Sequence, residues 1–179
     1  MNVMQKIDVT YYGGADVSQI VSAAIELIPD TWKSFLQRPL KIFIVSPSRL
    51  PPTWENIWGG RDNFKRTWSI RKGTPELGLV TEIFVCVPEL ELVNETMMPI
   101  FWKDVIMSII LEVFRNNFAS EIIRSNLRTW TMNRHTLGND IAQIISAFIA
   151  NREKAELLYP EMRLFIKRLE IEFASVYAS

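Results

Sequence analysis

Apolar residues at Val17, Ile20, Val21, Ala24, Ile25 and Ile28 recur every three or four positions, and Pro29 closes the run. That spacing puts one greasy face on a helix, with Asp16 as an acidic start. Trp32, Phe35 and Leu36 add a second short helix. Ahead of both, residues 6–12 alternate weakly and carry β-formers, which predicts a first strand ending at Gly13-Gly14. After Pro39 the run LKIFIV is compact and, but for Lys41, apolar, as a buried strand is, and SPSRLPP bounds it. Residues 50–65 read as a long loop rich in Pro, Gly and Trp. RTWSIRK and TEIFVCV predict two more strands around the turn sequence GTPELG, and Pro88 ends the second.

The remainder has helical periodicity in segments near 101–116, 120–128, 140–159 and 160–174. Strands come first and helices last. This order predicts an α+β fold in one domain, 1–179: a small mixed β-sheet packed against helices over about 1–100, and a helical C-terminal half over about 101–179. No internal repeat or low-complexity segment interrupts it.

One helical segment carries the candidate chemistry. In KDVIMSIILEVFRNN, residues 103–117, the polar side chains Asp104, Ser108, Glu112 and Arg115 are spaced four, four and three, so they form a narrow stripe on an otherwise apolar helix. The plain reading is a stripe at the rim, with Glu112 and Arg115 as an ordinary ion pair one turn apart. The sharper reading is that the stripe lines a cleft.

The surrounding order of segments, over 18–166, resembles the zincin-like metallopeptidases, particularly the compact kind found in bacterial toxins and mobile elements. Such proteins have a helix ending in a Leu-Pro or Ile-Pro step, a strand, a loop with Leu-Pro and Gly-Gly, two strands, and a helix bearing H-E-x-x-H. Here IELIPDTWKSFL, LKIFIV, RLPP, WGG, RTWSIRK, EIFVCV and KDVIMSIILEVFRNN follow in that order. Downstream, IAQIISAFIANREKAELLYPEMRLFIKRL is similar to the family's F-A-E-A-F-A helix with N-P-E and P-E-L-Y-x-F-L, through Asn151-Arg152-Glu153 and Pro160-Glu161-Met162. The resemblance places Leu111 and Arg115 where the two histidine ligands would stand, Glu112 on the general-base glutamate, and Gln143 on the third, carboxylate ligand. Only the glutamate is kept. A catalytic zinc needs about three N or O ligands and an open position for water, and the i, i+4 spacing supplies two histidines from one helix face. Leucine cannot ligate, a guanidinium repels a dication, and an amide is a poor ligand. The resemblance therefore implies a pseudo-peptidase with no metal and no cofactor, and no metal-dependent proteolysis. Arg115 is expected to pair with Glu112 and to hydrogen-bond Gln143 in the vacated space. The only histidine, His135, cannot rebuild such a site by itself.

Composition narrows the partners. Twenty Lys and Arg balance twenty Asp and Glu, so no whole-surface attraction to nucleic acid or anionic membrane is expected. The single cysteine, Cys86, excludes an intrachain disulfide and any multi-cysteine metal site. The N-terminus lacks a basic stretch followed by an apolar run, and no apolar segment is long enough for a bilayer, so a soluble, cytoplasmic protein with no membrane partner is expected.

The leading expectation is a protein- or peptide-binding module. In the resembled family the strand before the active helix lies at a sheet edge and pairs with extended substrate. Glu82, Ile83, Phe84 and Val85 occupy that strand here, and an edge needs no zinc to accept another chain. An ordinary core strand is the alternative. Trp54, Trp58 and Arg61, with Phe64 and Trp68, form a loop composition that suits an interface hot spot, though core packing explains tryptophans as well. Two alternatives stay open. One is a non-metallo enzyme using Glu112 and Arg115, for which the sequence supplies no nucleophile or phosphate-binding glycine motif. The other is nucleic-acid binding through the basic run 121–135, with Arg124, Arg128, Arg134 and His135 around Trp130, a footprint more readily explained as a solvated face. The last helix carries more apolar surface than one seam needs, which leaves a homodimer open.

Overall fold

A computed structural model describes residues 7–12, 17–45, 69–73, 81–86, 98–127 and 139–178. Strands β1 (Ile7–Tyr11), β2 (Leu40–Val45), β3 (Ser69–Gly73) and β4 (Thr81–Cys86) form one sheet. Helices α1 (Ser18–Leu27) and α2 (Asp30–Lys33) lie between β1 and β2 in sequence. After β4 come α3 (Met98–Phe114), α4 (Asn117–Leu127), α5 (Asn139–Ala150), α6 (Arg152–Leu158), a single 3-10 turn at Pro160–Met162, and α7 (Arg163–Ala178). The fold is α+β, with a small mixed sheet and a helical C-terminal half.

The chain divides into two compact units, one of Met1–Ile25 with Arg38–Val105, the other of Glu26–Gln37 with Ile106–Ser179. In the first, the sheet order is β1-β2-β4-β3; β1, β2 and β4 are parallel and β3 is antiparallel to β4. Strand alternation separates two faces. On one, Leu40, Ile42, Ile44, Ile83 and Val85 are all buried, and with Phe43, Val45 and Phe84 buried on the other, the apolar runs 42–45 and 83–85 are covered on both sides. On the other, the register sets Asp8, Lys41 and Glu82 side by side as a row of alternating charge, and one row further Phe43 stacks on Phe84 at 5.2 Å between ring centroids.

The second unit is built on helices. α2 brings Trp32 and Phe35 onto Phe173 of α7, with ring centroids 4.6 and 4.8 Å apart, and Phe35 also stacks on Phe118 of α4. All but Phe118 are buried, so this aromatic cluster joins the start of the unit to its last helix. The helix expected over 140–159 is two helices. Asn151 takes an extended backbone, φ −158° and ψ 93°, and its side chain accepts a hydrogen bond from the Lys154 amide at 3.0 Å, capping α6. An asparagine that satisfies an orphan amide stabilises a new helix start at the cost of the old helix's continuation. Among the described residues, no helix is long and apolar enough to cross a membrane.

Candidate functional site

The end of α3 holds the residues the sequence singled out. Val105, Ile106, Ile109, Ile110 and Val113 are buried at helical spacing and fix which face of the helix turns inward. The polar stripe runs along the margin of that face: Asp104, Ser108 and Glu112 are partly covered and Arg115 is exposed. Glu112 follows buried Ile109 by three and precedes buried Val113 by one, so its side chain keeps only 10% exposure. Arg115 Nη1 stands 3.7 Å from Glu112 Oε2, and its own side chain is 55% exposed. This is a half-solvated ion pair, in a range where measured contributions are small.

The expected bond from Arg115 to Gln143 is not formed. Gln143 is exposed on α5, and among the described residues no hydrogen bond joins the two. Arg115 directly follows the last residue of α3 and is exposed there, so its charge stays in water rather than filling a cavity. Leu111 is partly covered, beside buried Ile110. Among the described residues, no three His, Cys, Asp or Glu side chains come together as a set that could hold a metal ion.

The corner after Arg115 is tightly satisfied. The Arg115 and Asn116 amides donate to the Glu112 and Val113 carbonyls, and Ser120 Oγ donates to the Phe114 carbonyl. Asn116 Oδ1 accepts from the Phe118 and Ala119 amides at 2.9 and 3.2 Å, which caps α4. Its amide nitrogen donates at 3.0 Å to the carbonyl of Phe35, 81 positions earlier. Sequence reading passed over Asn116, although an asparagine directly before an amphipathic run is a start signal. Nothing in the sequence pointed to Phe35 as its second partner.

Asp104, earlier on the same stripe, has its carboxyl pushed up by burial, an effect partly offset by the neighbouring Lys103 charge. The pair Glu112 and Arg115 offers charge and hydrogen bonds, and Ser108, four positions before Glu112, adds a partly covered hydroxyl to the same stripe.

The partner-binding strand is corrected. β4, with Glu82, Ile83, Phe84 and Val85, is hydrogen-bonded to β2 on one side and β3 on the other, and Ile83, Phe84 and Val85 are buried. The pairing on both sides makes β4 an interior strand and leaves no edge for an incoming chain, and three consecutive buried residues show that both its faces are covered as well. The sheet's ends are β1 and β3. Trp54, Trp58 and Arg61 lie outside the described residues, as do Phe64, Trp68, Arg128, Trp130, Arg134 and His135; Arg124 is exposed on α4. Comparison with protein-family models, curated proteins and solved structures gives no match to this chain.

Proposed function

We propose that the chain is a peptide- or protein-binding module on a zincin-like scaffold, a pseudo-peptidase that works in the cytoplasm without zinc or another cofactor. The observation that carries this reading is the end of α3. Of the motif positions the resemblance identifies, only Glu112 keeps its residue type, and the side chain at the second ligand position, Arg115, is a cation 3.7 Å from it. A guanidinium so close to the carboxylate repels a dication from that position. The observed succession α1, α2, β2, β3, β4, α3 also supports the reading, since it follows the order of segments on which the resemblance rests.

Binding is assigned to β3. Its inner side pairs with β4, and among the described strands none pairs with its outer side. An outer row of backbone N–H and C=O groups can take an extended segment as a fifth strand with no chemistry at all. The test is a selection of random extended peptides on the immobilised chain, followed by amide NMR of the labelled protein with a selected peptide. Shifts and exchange protection centred on residues 69–73 are expected. A selection that yields no binder, or binders that leave those amides unchanged, would overturn the assignment.

A further inference from the structure

The outward side of β1 has a defined phase. The Tyr12 amide donates to the Ile44 carbonyl at 2.7 Å, and in a parallel ladder alternate residues turn both N–H and C=O to the same neighbour. Asp8 and Thr10 therefore share the direction of Tyr12, toward β2, and Ile7, Val9 and Tyr11 turn their backbone groups outward. No described strand pairs with that side, and among the described residues no hydrogen bond reaches the outward N–H and C=O of Val9. Val9 is nonetheless partly covered, which makes an unanswered backbone pair there costly. The strand also lacks devices that keep an edge from pairing: IDVTY has no proline and no lysine, and its register with β2 runs from Ile7 to Tyr11 without a bulge.

The strand's own sequence selects what pairs with it. A two-fold axis through Val9, perpendicular to the sheet, sets Val9 against Val9, Ile7 against Tyr11 and Asp8 against Thr10 of a second copy. Ile7, Val9 and Tyr11 are in register with buried Leu40, Ile42 and Ile44, so the apolar face continues across the axis. Asp8 meets a hydroxyl rather than its own copy. The phase agrees as well, because antiparallel partners exchange both bonds only at residues whose backbone points across, and Val9 is one. An axis through Asp8 sets two carboxylates face to face instead. β3 is not self-complementary in this way, since an axis through its middle residue sets Arg71 against Arg71.

We propose that β1 pairs antiparallel with β1 of a second copy about Val9, joining two sheets into one with the order β3-β4-β2-β1-β1-β2-β4-β3. This homodimer does not depend on the peptide assignment to β3, and it leaves both β3 edges at the ends of the joined sheet.

Sedimentation of the purified chain over a wide range of concentration is expected to show a monomer–dimer equilibrium. Val9→Pro removes only an outward N–H, which an edge strand tolerates, and Val9→Lys places like charges on the axis. Each should weaken the dimer at least about tenfold with circular dichroism unchanged. The wild-type chain gives a readout that needs no variant: exchange of the Val9 amide should slow as concentration rises, while the amides of Asp8 and Thr10, already bonded to β2, change less. A chain that is monomeric at every concentration overturns the proposal. So does a dimer that both variants leave intact, or one whose formation leaves Val9 exchange unchanged, since its contact then lies elsewhere.

Discussion

The Arg115 guanidinium, 55% exposed, stands 3.7 Å from a Glu112 carboxylate that is only 10% exposed. One partner is in water and the other is nearly covered. The Coulomb energy is therefore screened on one side, and the long arginine side chain retains freedom that pairing would cost it. A double-mutant cycle of Arg115→Ala and Glu112→Gln, followed by urea unfolding, should give a coupling energy below about 1 kcal/mol. A coupling of several kcal/mol would show that the pair is held in a drier setting than its exposure implies.

Asn116 should matter more than the charged residue before it. Its side chain caps α4 through Oδ1 and holds the Phe35 carbonyl through Nδ2. Asn116→Ala loses both functions and should destabilise by about 2 kcal/mol, combining a typical cap with a typical hydrogen bond. Asn116→Asp keeps the cap acceptor and loses the donor, so it should fall between wild type and alanine. Equal losses for the two variants would mean that the Phe35 contact alone carries the effect.

Asp104 predicts a pH signature. Burial, partly offset by Lys103, raises its folded pKa from the ordinary aspartate value, so the folded state holds the proton more tightly than the unfolded chain does. Stability from this group is therefore fully present below the unfolded pKa and is lost as pH rises through the raised folded value. Asp104→Asn removes that loss. The variant should melt higher than wild type at neutral pH, and the difference should shrink as the buffer is taken down through the carboxyl range. A difference that does not change with pH would place its cause outside ionisation.

The elements of this fold were largely legible, because the apolar positions keep the period of the structure they form. LKIFIV became β2 at Leu40–Val45, and the run after Val17 became α1. The misreadings have local causes. Asn151 sits inside a helical pattern that continues on both sides, and the helix breaks there at an extended backbone capped by its side-chain bond to Lys154. The edge assigned to Glu82–Val85 failed for a different reason. A strand's own sequence reports that it is buried, but its neighbours depend on pairings made with β2 and β3, distant in the chain. The Glu112 and Arg115 pair was visible because it is one turn apart on one helix. The exposure of Gln143 and the Phe35 contact of Asn116 are set by tertiary placement, which periodicity does not encode.

We propose that Arg115, beside Glu112, keeps a dication out of the position where the resembled family holds zinc. It is tested most directly by elemental analysis of protein purified without chelator, together with the change in melting temperature on adding zinc. Substoichiometric metal and no shift are expected, since a specifically bound ion would stabilise the folded state by mass action. One zinc per chain with a clear rise in melting temperature would contradict it and return hydrolysis to consideration.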